Sequence, residues 1–82
     1  MNFVVYSKTG CPYCDKVKMV LEHLKQKQKC NYVVYELNKD FNRETFYSEF
    51  GNGSTFPQVI CDEKYIGGCT ETVKYLQENS IL

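Results

Sequence analysis

The chain predicts an α/β fold, a four-stranded mixed sheet with three helices in the order β-α-β-α-β-β-α. Three observations carry that expectation. Two β-rich apolar runs, Phe3-Val4-Val5-Tyr6 and Tyr32-Val33-Val34-Tyr35, flank a stretch whose apolar residues recur at helical spacing. Two shorter strand-like runs, Pro57 to Ile60 and Lys64-Tyr65-Ile66, meet at Asp62-Glu63 and read as a hairpin. A last helical stretch follows Gly67-Gly68.

Taken in order, Phe3 to Tyr6 is apolar throughout, as a strand buried on both faces should be. Ser7 to Gly10 breaks the pattern. From Cys14 to about Gln28, Val17, Val20, Leu21 and Leu24 form one stripe, with Lys16, Lys18 and Glu22 on other faces. Cys30 and Asn31 close this helix, and Tyr32 to Tyr35 is a second strand of the buried type. A strand–helix–strand unit of this length implies parallel neighbours with a right-handed crossover. Asn38 to Asn42 is a polar break before a helix from about Arg43 to Phe50, with Phe46 and Phe50 on one face. Gly51-Asn52-Gly53-Ser54 ends that helix in a loop. The final helix is expected from about Thr70 to Glu78, with Val73 and Leu76 facing inward.

At 82 residues the chain has room for one domain, expected over 1–82. Ten basic and ten acidic residues balance, so no concentrated basic face favours nucleic acid. Lys25, Lys27 and Lys29 read as a solvated helix C-terminus that complements the dipole. No segment has the length or apolarity of a membrane span or an export signal. Five cysteines, an odd number, argue against a disulfide-stapled secreted domain and for a reducing cytoplasm.

The chemistry concentrates in Cys11-Pro12-Tyr13-Cys14. Pro12 suits the first helical position, where its missing N–H costs nothing. Cys11 is then the N-cap and Cys14 lies in the first turn. Free N–H groups and the positive end of the helix dipole favour a Cys11 anion, and thiolates in such sites have pKa values well below the roughly 8.5 of free cysteine. Cys14 should be more buried and less ionised. Asp15 works weakly against the thiolate while stabilising the helix terminus. This reads as a dithiol cycling between reduced and disulfide forms.

Three segments, Tyr6-Ser7-Lys8-Thr9-Gly10-Cys11-Pro12-Tyr13-Cys14, Thr55-Phe56-Pro57-Gln58-Val59 and Ile66-Gly67-Gly68-Cys69, resemble the signature segments of glutaredoxins, most closely the small dithiol members. The resemblance spans essentially the whole chain. It implies the minimal thioredoxin architecture and glutathione-dependent reduction of protein disulfides and glutathione mixed disulfides. Glutathione is then a co-substrate, with no tightly bound cofactor, and a monomer acting on glutathionylated or disulfide-containing proteins is expected.

Residue by residue, the resemblance makes Cys11 the nucleophile and Cys14 the resolving thiol. Lys8 would partner the glycyl carboxylate of glutathione, unless it is simply a solvated loop lysine. Tyr13 would flank the sulfur, and Thr55 would count among the residues that bind glutathione. Pro57 is expected to be cis, exposing the Phe56 main chain to pair with the cysteinyl part of glutathione as an added strand would. The Phe56 side chain is larger than the valine usual in the family. Gly68, Cys69 and Thr70 open the last helix, whose N–H groups would hold the γ-glutamyl carboxylate. Thr70 stands where many relatives carry aspartate; it can cap the helix but supplies no charge to the γ-glutamyl ammonium, so weaker discrimination for that group is expected unless Glu71 reaches it. Arg43 reads as a surface residue that could assist Lys8. Cys30, Cys61 and Cys69 read as packing thiols and His23 as solvated.

Two other readings stay open on the residues alone. A redoxin fed by a flavoprotein reductase could serve ribonucleotide reductase. Cys11, Cys14, Cys61 and Cys69 could form a zinc or iron–sulfur module, although seven residues separate the second pair rather than two to four.

Overall fold

The computed structural model describes residues 1–82. Seven elements follow in the expected order: β1 (Asn2–Ser7), α1 (Pro12–Gln26), β2 (Asn31–Glu36), α2 (Arg43–Phe50), β3 (Gln58–Cys61), β4 (Lys64–Gly67) and α3 (Cys69–Glu78). The strands form one mixed sheet in the order β2-β1-β3-β4. β1 runs parallel to β2, pairing Phe3 with Tyr32 and Val5 with Val34, and antiparallel to β3, pairing Phe3 with Cys61 and Val5 with Val59. A thioredoxin-type α/β architecture results.

The core lies where α1 and α3 cover one face of the sheet. Phe3 and Val5 of β1 meet Val17, Leu21 and Leu24 of α1, Val59 and Cys61 of β3, and Cys69 and Leu76 of α3. The α1 stripe is as expected, with Val20 packed at its edge; the helix stops at Gln26, where Lys27 caps it. Opposite, Tyr6 meets Phe41, Phe46 and Phe50 edge-on or tilted, with ring centroids 5.0–6.4 Å apart. Phe46 is the one fully buried residue of α2, which starts at Asn42, whose Oδ1 accepts the Thr45 N–H at 2.8 Å.

Two strands are less buried than expected. In β1 only Phe3, Val5 and Ser7 are buried, while Val4 and Tyr6 are half-covered, because α2 is short and shields the second face incompletely. In β2 no residue is buried, and Val33 is 44% exposed. The cause is its place at the sheet edge, with a single strand neighbour. An apolar run therefore marks a strand here without marking a central one.

The hairpin between β3 and β4 turns at Asp62 and Glu63, both at positive φ (49° and 71°), as a two-residue turn matched to strand twist requires. α3 begins at Cys69 rather than Thr70, and its N-cap is Gly68 rather than Thr70. Glu71 explains the shift: its Oε1 accepts the Gly68 N–H at 2.8 Å, anchoring the helix start one residue early. A side chain at Gly67, where φ is 120°, would stand 3.1–3.2 Å from Glu71. Only glycine meets both conditions. Val73 and Leu76 face inward as expected.

Candidate active site

Cys11 ends the Lys8–Gly10 loop that leads out of β1, and its backbone (φ −110°, ψ 106°) is that of an N-cap. Its Sγ accepts the Cys14 N–H at 3.2 Å. On the other side the thiol points at the carbonyl oxygen of Phe56, 3.8 Å away. That carbonyl precedes a cis peptide bond to Pro57, as expected. Asp15, next along the helix, is exposed and lies 3.6 Å from the Lys18 ammonium. Both active-site cysteines are free thiols.

Cys14 is wholly buried, whereas Cys11 keeps 6% of its surface. Burial pushes the Cys14 thiol up to about 11, and its hydrogen bond with Cys11 adds to the rise. The Lys8 N–H and the Ser7 hydroxyl act in the opposite direction. One sulfur thus opens to substrate at a helix terminus, while the other is held protonated beneath it.

A cleft of about 350 Å³ runs past Cys11, lined by Lys8, Gly10, Pro12, Arg43, Tyr47, Ser54, Thr55 and Phe56. Its floor is an aromatic stack. The Phe56 ring lies 4.2 Å from Phe46, nearly parallel to it at 11°, and 6.2 Å from Phe41. The large side chain that departs from the family's valine is therefore drawn toward α2, leaving the Phe56 main chain facing Cys11. Two cations rest on this ring, Lys8 Nζ at 5.4 Å from its centroid and Arg43 Cζ at 5.9 Å. Arg43 Nη1 also donates to the Tyr47 hydroxyl at 3.3 Å.

Of the residues singled out from sequence, Lys8, Cys11, Thr55 and Phe56 line this cleft. Tyr13 stands 62% exposed in the first turn of α1. Pro57 is buried and joins two halves of the region, since the Gly68 Cα carries a face that a Cβ would bring within 3.5 Å of the Pro57 carbonyl. Gly68, Cys69 and Thr70 lie at the start of α3, outside the cleft. Arg43 is exposed, as a surface residue should be, and also lines the cleft, where it rests on the Phe56 ring. Tyr47 and Ser54 were missed; Tyr47 could have been found from its place one turn beyond Arg43. Cys30, Cys61 and Cys69 belong to the core, and burial raises all three thiols. No three His, Cys, Asp or Glu side chains converge as a metal site, so Cys61 and Cys69 do not complete a four-sulfur set with Cys11 and Cys14.

The glutaredoxin family model matches residues 3–66, most of the chain and two of its three signature segments. The chain belongs to the glutaredoxin family. It is 34% identical to the glutaredoxin of Vibrio cholerae, over 96% of this chain and 94% of that protein. Glutaredoxin 1 of Salmonella typhimurium is 32% identical over the same shares. Among solved structures, reduced Escherichia coli glutaredoxin superposes with a TM-score of 0.84 at 26% identity, covering all of both chains. A buckwheat glutaredoxin in complex with glutathione gives 0.75 at 29% identity, over 96% of this chain and 71% of that one. Glutaredoxins are thiol–disulfide oxidoreductases, and this chain is one of that glutathione-dependent class. The flavoprotein-fed and metal-module readings are not favoured. No helix is long and apolar enough to cross a membrane.

Proposed function

We propose that Cys11 is the nucleophile that reduces glutathione mixed disulfides and protein disulfides, with Cys14 as the resolving thiol. The observation that carries this is the Cys11 sulfur itself: it caps α1, accepts the Cys14 N–H and belongs to a cleft that Lys8 and Arg43 also line. A helix terminus meets the negative charge of a thiolate there. Against a glutathionylated protein, Cys11 forms a bond to the glutathionyl sulfur. The protein sulfur leaves with the electron pair and takes up a proton. The thiolate of a second glutathione then attacks the glutathionyl sulfur on Cys11, and glutathione disulfide departs as the Cys11 thiol is restored. Against a protein disulfide, Cys11 bonds to one substrate sulfur while the other leaves with the electron pair and takes up a proton. Cys14 then loses its proton and bonds to Cys11 Sγ, releasing the remaining substrate sulfur as a thiol, and two glutathiones reduce the Cys11–Cys14 bond and depart as glutathione disulfide.

Glutathione on this reading runs along the cleft, with its γ-glutamyl end reaching beyond it to the start of α3. Lys8 and Arg43 face the glycyl carboxylate, the Phe56 main chain and Thr55 take the cysteinyl portion, and Tyr13 flanks the sulfur. The N–H groups at Gly68, Cys69 and Thr70 receive the γ-glutamyl carboxylate. Glu71, held at that same helix start, supplies the charge for the ammonium that Thr70 lacks. Five free thiols suit a reducing compartment such as the cytoplasm, where the chain would act as a monomer on glutathionylated proteins.

Hydroxyethyl disulfide reduction, coupled through glutathione, glutathione reductase and NADPH, tests the reading. Cys11→Ser should abolish turnover. Cys14→Ser should spare deglutathionylation and abolish reduction of protein disulfides; equal loss of both would refute the division of labour.

A further inference from the structure

Ser7 breaks the pattern of its own strand. β1 buries alternate residues, Phe3, Val5 and Ser7, so position 7 is an inward position where an apolar side chain would serve packing best. Its hydroxyl is fully buried and makes no hydrogen bond. Buried polar atoms without partners are rare and gather at functional sites. Ser7 ends the inward β1 row of Phe3 and Val5, which packs on the buried α1 row of Val17, Leu21 and Leu24, and Cys14 heads that α1 row; the two wholly buried residues thus share one layer between strand and helix.

We propose that Ser7 is a positioning residue for the resolving step, its hydroxyl donating to the Cys14 sulfur once that sulfur becomes a thiolate. This rests on Cys14 acting as the resolving thiol. In the dithiol the hydroxyl has no partner, and a neutral thiol offers it only a weak acceptor. In the attack, the Cys14 proton is lost and the Cys14 sulfur bonds to Cys11 Sγ. The bond from Cys11 to the substrate sulfur breaks, and that sulfur leaves with the electron pair and is protonated. The difficult moment is the bare charge on a sulfur that water cannot reach. Groups placed to meet it are few: the Lys8 N–H and the Ser7 hydroxyl. Cys11, hydrogen-bonded from its own helix, opposes ionisation. The charged neighbours are engaged elsewhere, Asp15 with Lys18 and the Lys8 ammonium with the Phe56 ring.

The test is Ser7→Ala, with Ser7→Thr to restore the hydroxyl. Reduced protein is mixed with glutathione disulfide and quenched in acid at intervals. Mass spectrometry then resolves the Cys11–glutathione adduct from the Cys11–Cys14 disulfide across pH 6 to 10. Losing the hydroxyl should move the rising limb of the closing rate to higher pH. A higher Cys14 pKa leaves less thiolate, each thiolate somewhat more nucleophilic, so closing should slow about three- to fourfold at neutral pH. Adduct formation at Cys11 should stay within about twofold, and Ser7→Thr should recover the profile. A second reading avoids turnover altogether: in a Cys11→Ser background, the Cys14 ¹³Cβ shift should titrate higher with Ser7→Ala than without. An unchanged closing profile, or equal slowing of both steps with the limb in place, overturns the role of Ser7. Protein-disulfide reduction surviving Cys14→Ser would instead overturn the reading of Cys14.

Discussion

Lys8 and Arg43 come from different parts of the chain yet share one aromatic face, that of Phe56. Each cation is partly ordered before any ligand arrives, which lowers the entropic cost of using it. A carboxylate meeting two such cations at a solvated cleft gains the modest energy of exposed ion pairs, about 0.2–1 kcal/mol each. Lys8→Ala is therefore expected to raise the KM for a glutathionylated substrate about two- to fivefold with little change in kcat. The effect should fade as salt rises, since screening acts within about 8 Å at physiological ionic strength. Steady-state kinetics at two salt concentrations checks both halves of the statement. Glu71 presents a different case, because its carboxylate is already bonded to the Gly68 N–H.

At the scale of elements, α2 is the support on which the cleft depends. Its inward residue Phe46 is buried to 1% exposure and stacks against both Phe41 and Phe56. Phe46→Ala should cost about 3–5 kcal/mol, the loss of transfer energy plus the cavity left behind. That is a large share of the stability of a small domain, typically about 5–15 kcal/mol in all. Urea unfolding should show a much lower midpoint, and Phe46→Leu should recover a good part of it. If the stack also steadies the wall of the cleft, the KM for glutathionylated substrate will rise in the leucine variant even where it stays folded. At the opposite end of the sheet, α3 is positioned by its N-terminal turn, where the Thr72 hydroxyl donates to the Gly68 carbonyl at 2.7 Å.

For the whole molecule, the thiols set a common response to alkali. Burial holds Cys14, Cys30, Cys61 and Cys69 above the ordinary range, Cys14 at about 11. Above pH 9 the unfolded chain releases these protons while the fold retains them, so the native state binds more protons than the unfolded one. Stability of the reduced protein is therefore fully present below about pH 9 and falls as pH climbs toward 11. Urea midpoints at pH 8 and pH 10.5, under reductant, should differ in that direction, and Cys14→Ala should narrow the difference.

Elements could be read from the chain because strand and helix periods are local. The Val17, Val20, Leu21 and Leu24 stripe, the Asp62-Glu63 turn and Pro12 as the first residue of α1 each follow from a few neighbouring residues. Cys11 and Cys14 were legible for the same reason, as a spacing on a helix start. Edge and centre were not: Tyr32 to Tyr35 is as apolar as Phe3 to Tyr6, and only sheet order leaves β2 uncovered. Nor could the sequence foretell that Arg43 and Lys8 share the Phe56 ring, that Glu71 rather than Thr70 anchors α3, or that the buried Ser7 hydroxyl lies unpaired. Those facts depend on which residues distant in sequence share a space. The chain by itself determined the elements, their order and the placing of Cys11 and Cys14 at a helix start, through local propensity and spacing. Tertiary packing alone decided which charges and dipoles surround that pair, because electrostatic interaction depends on distance in space and on burial.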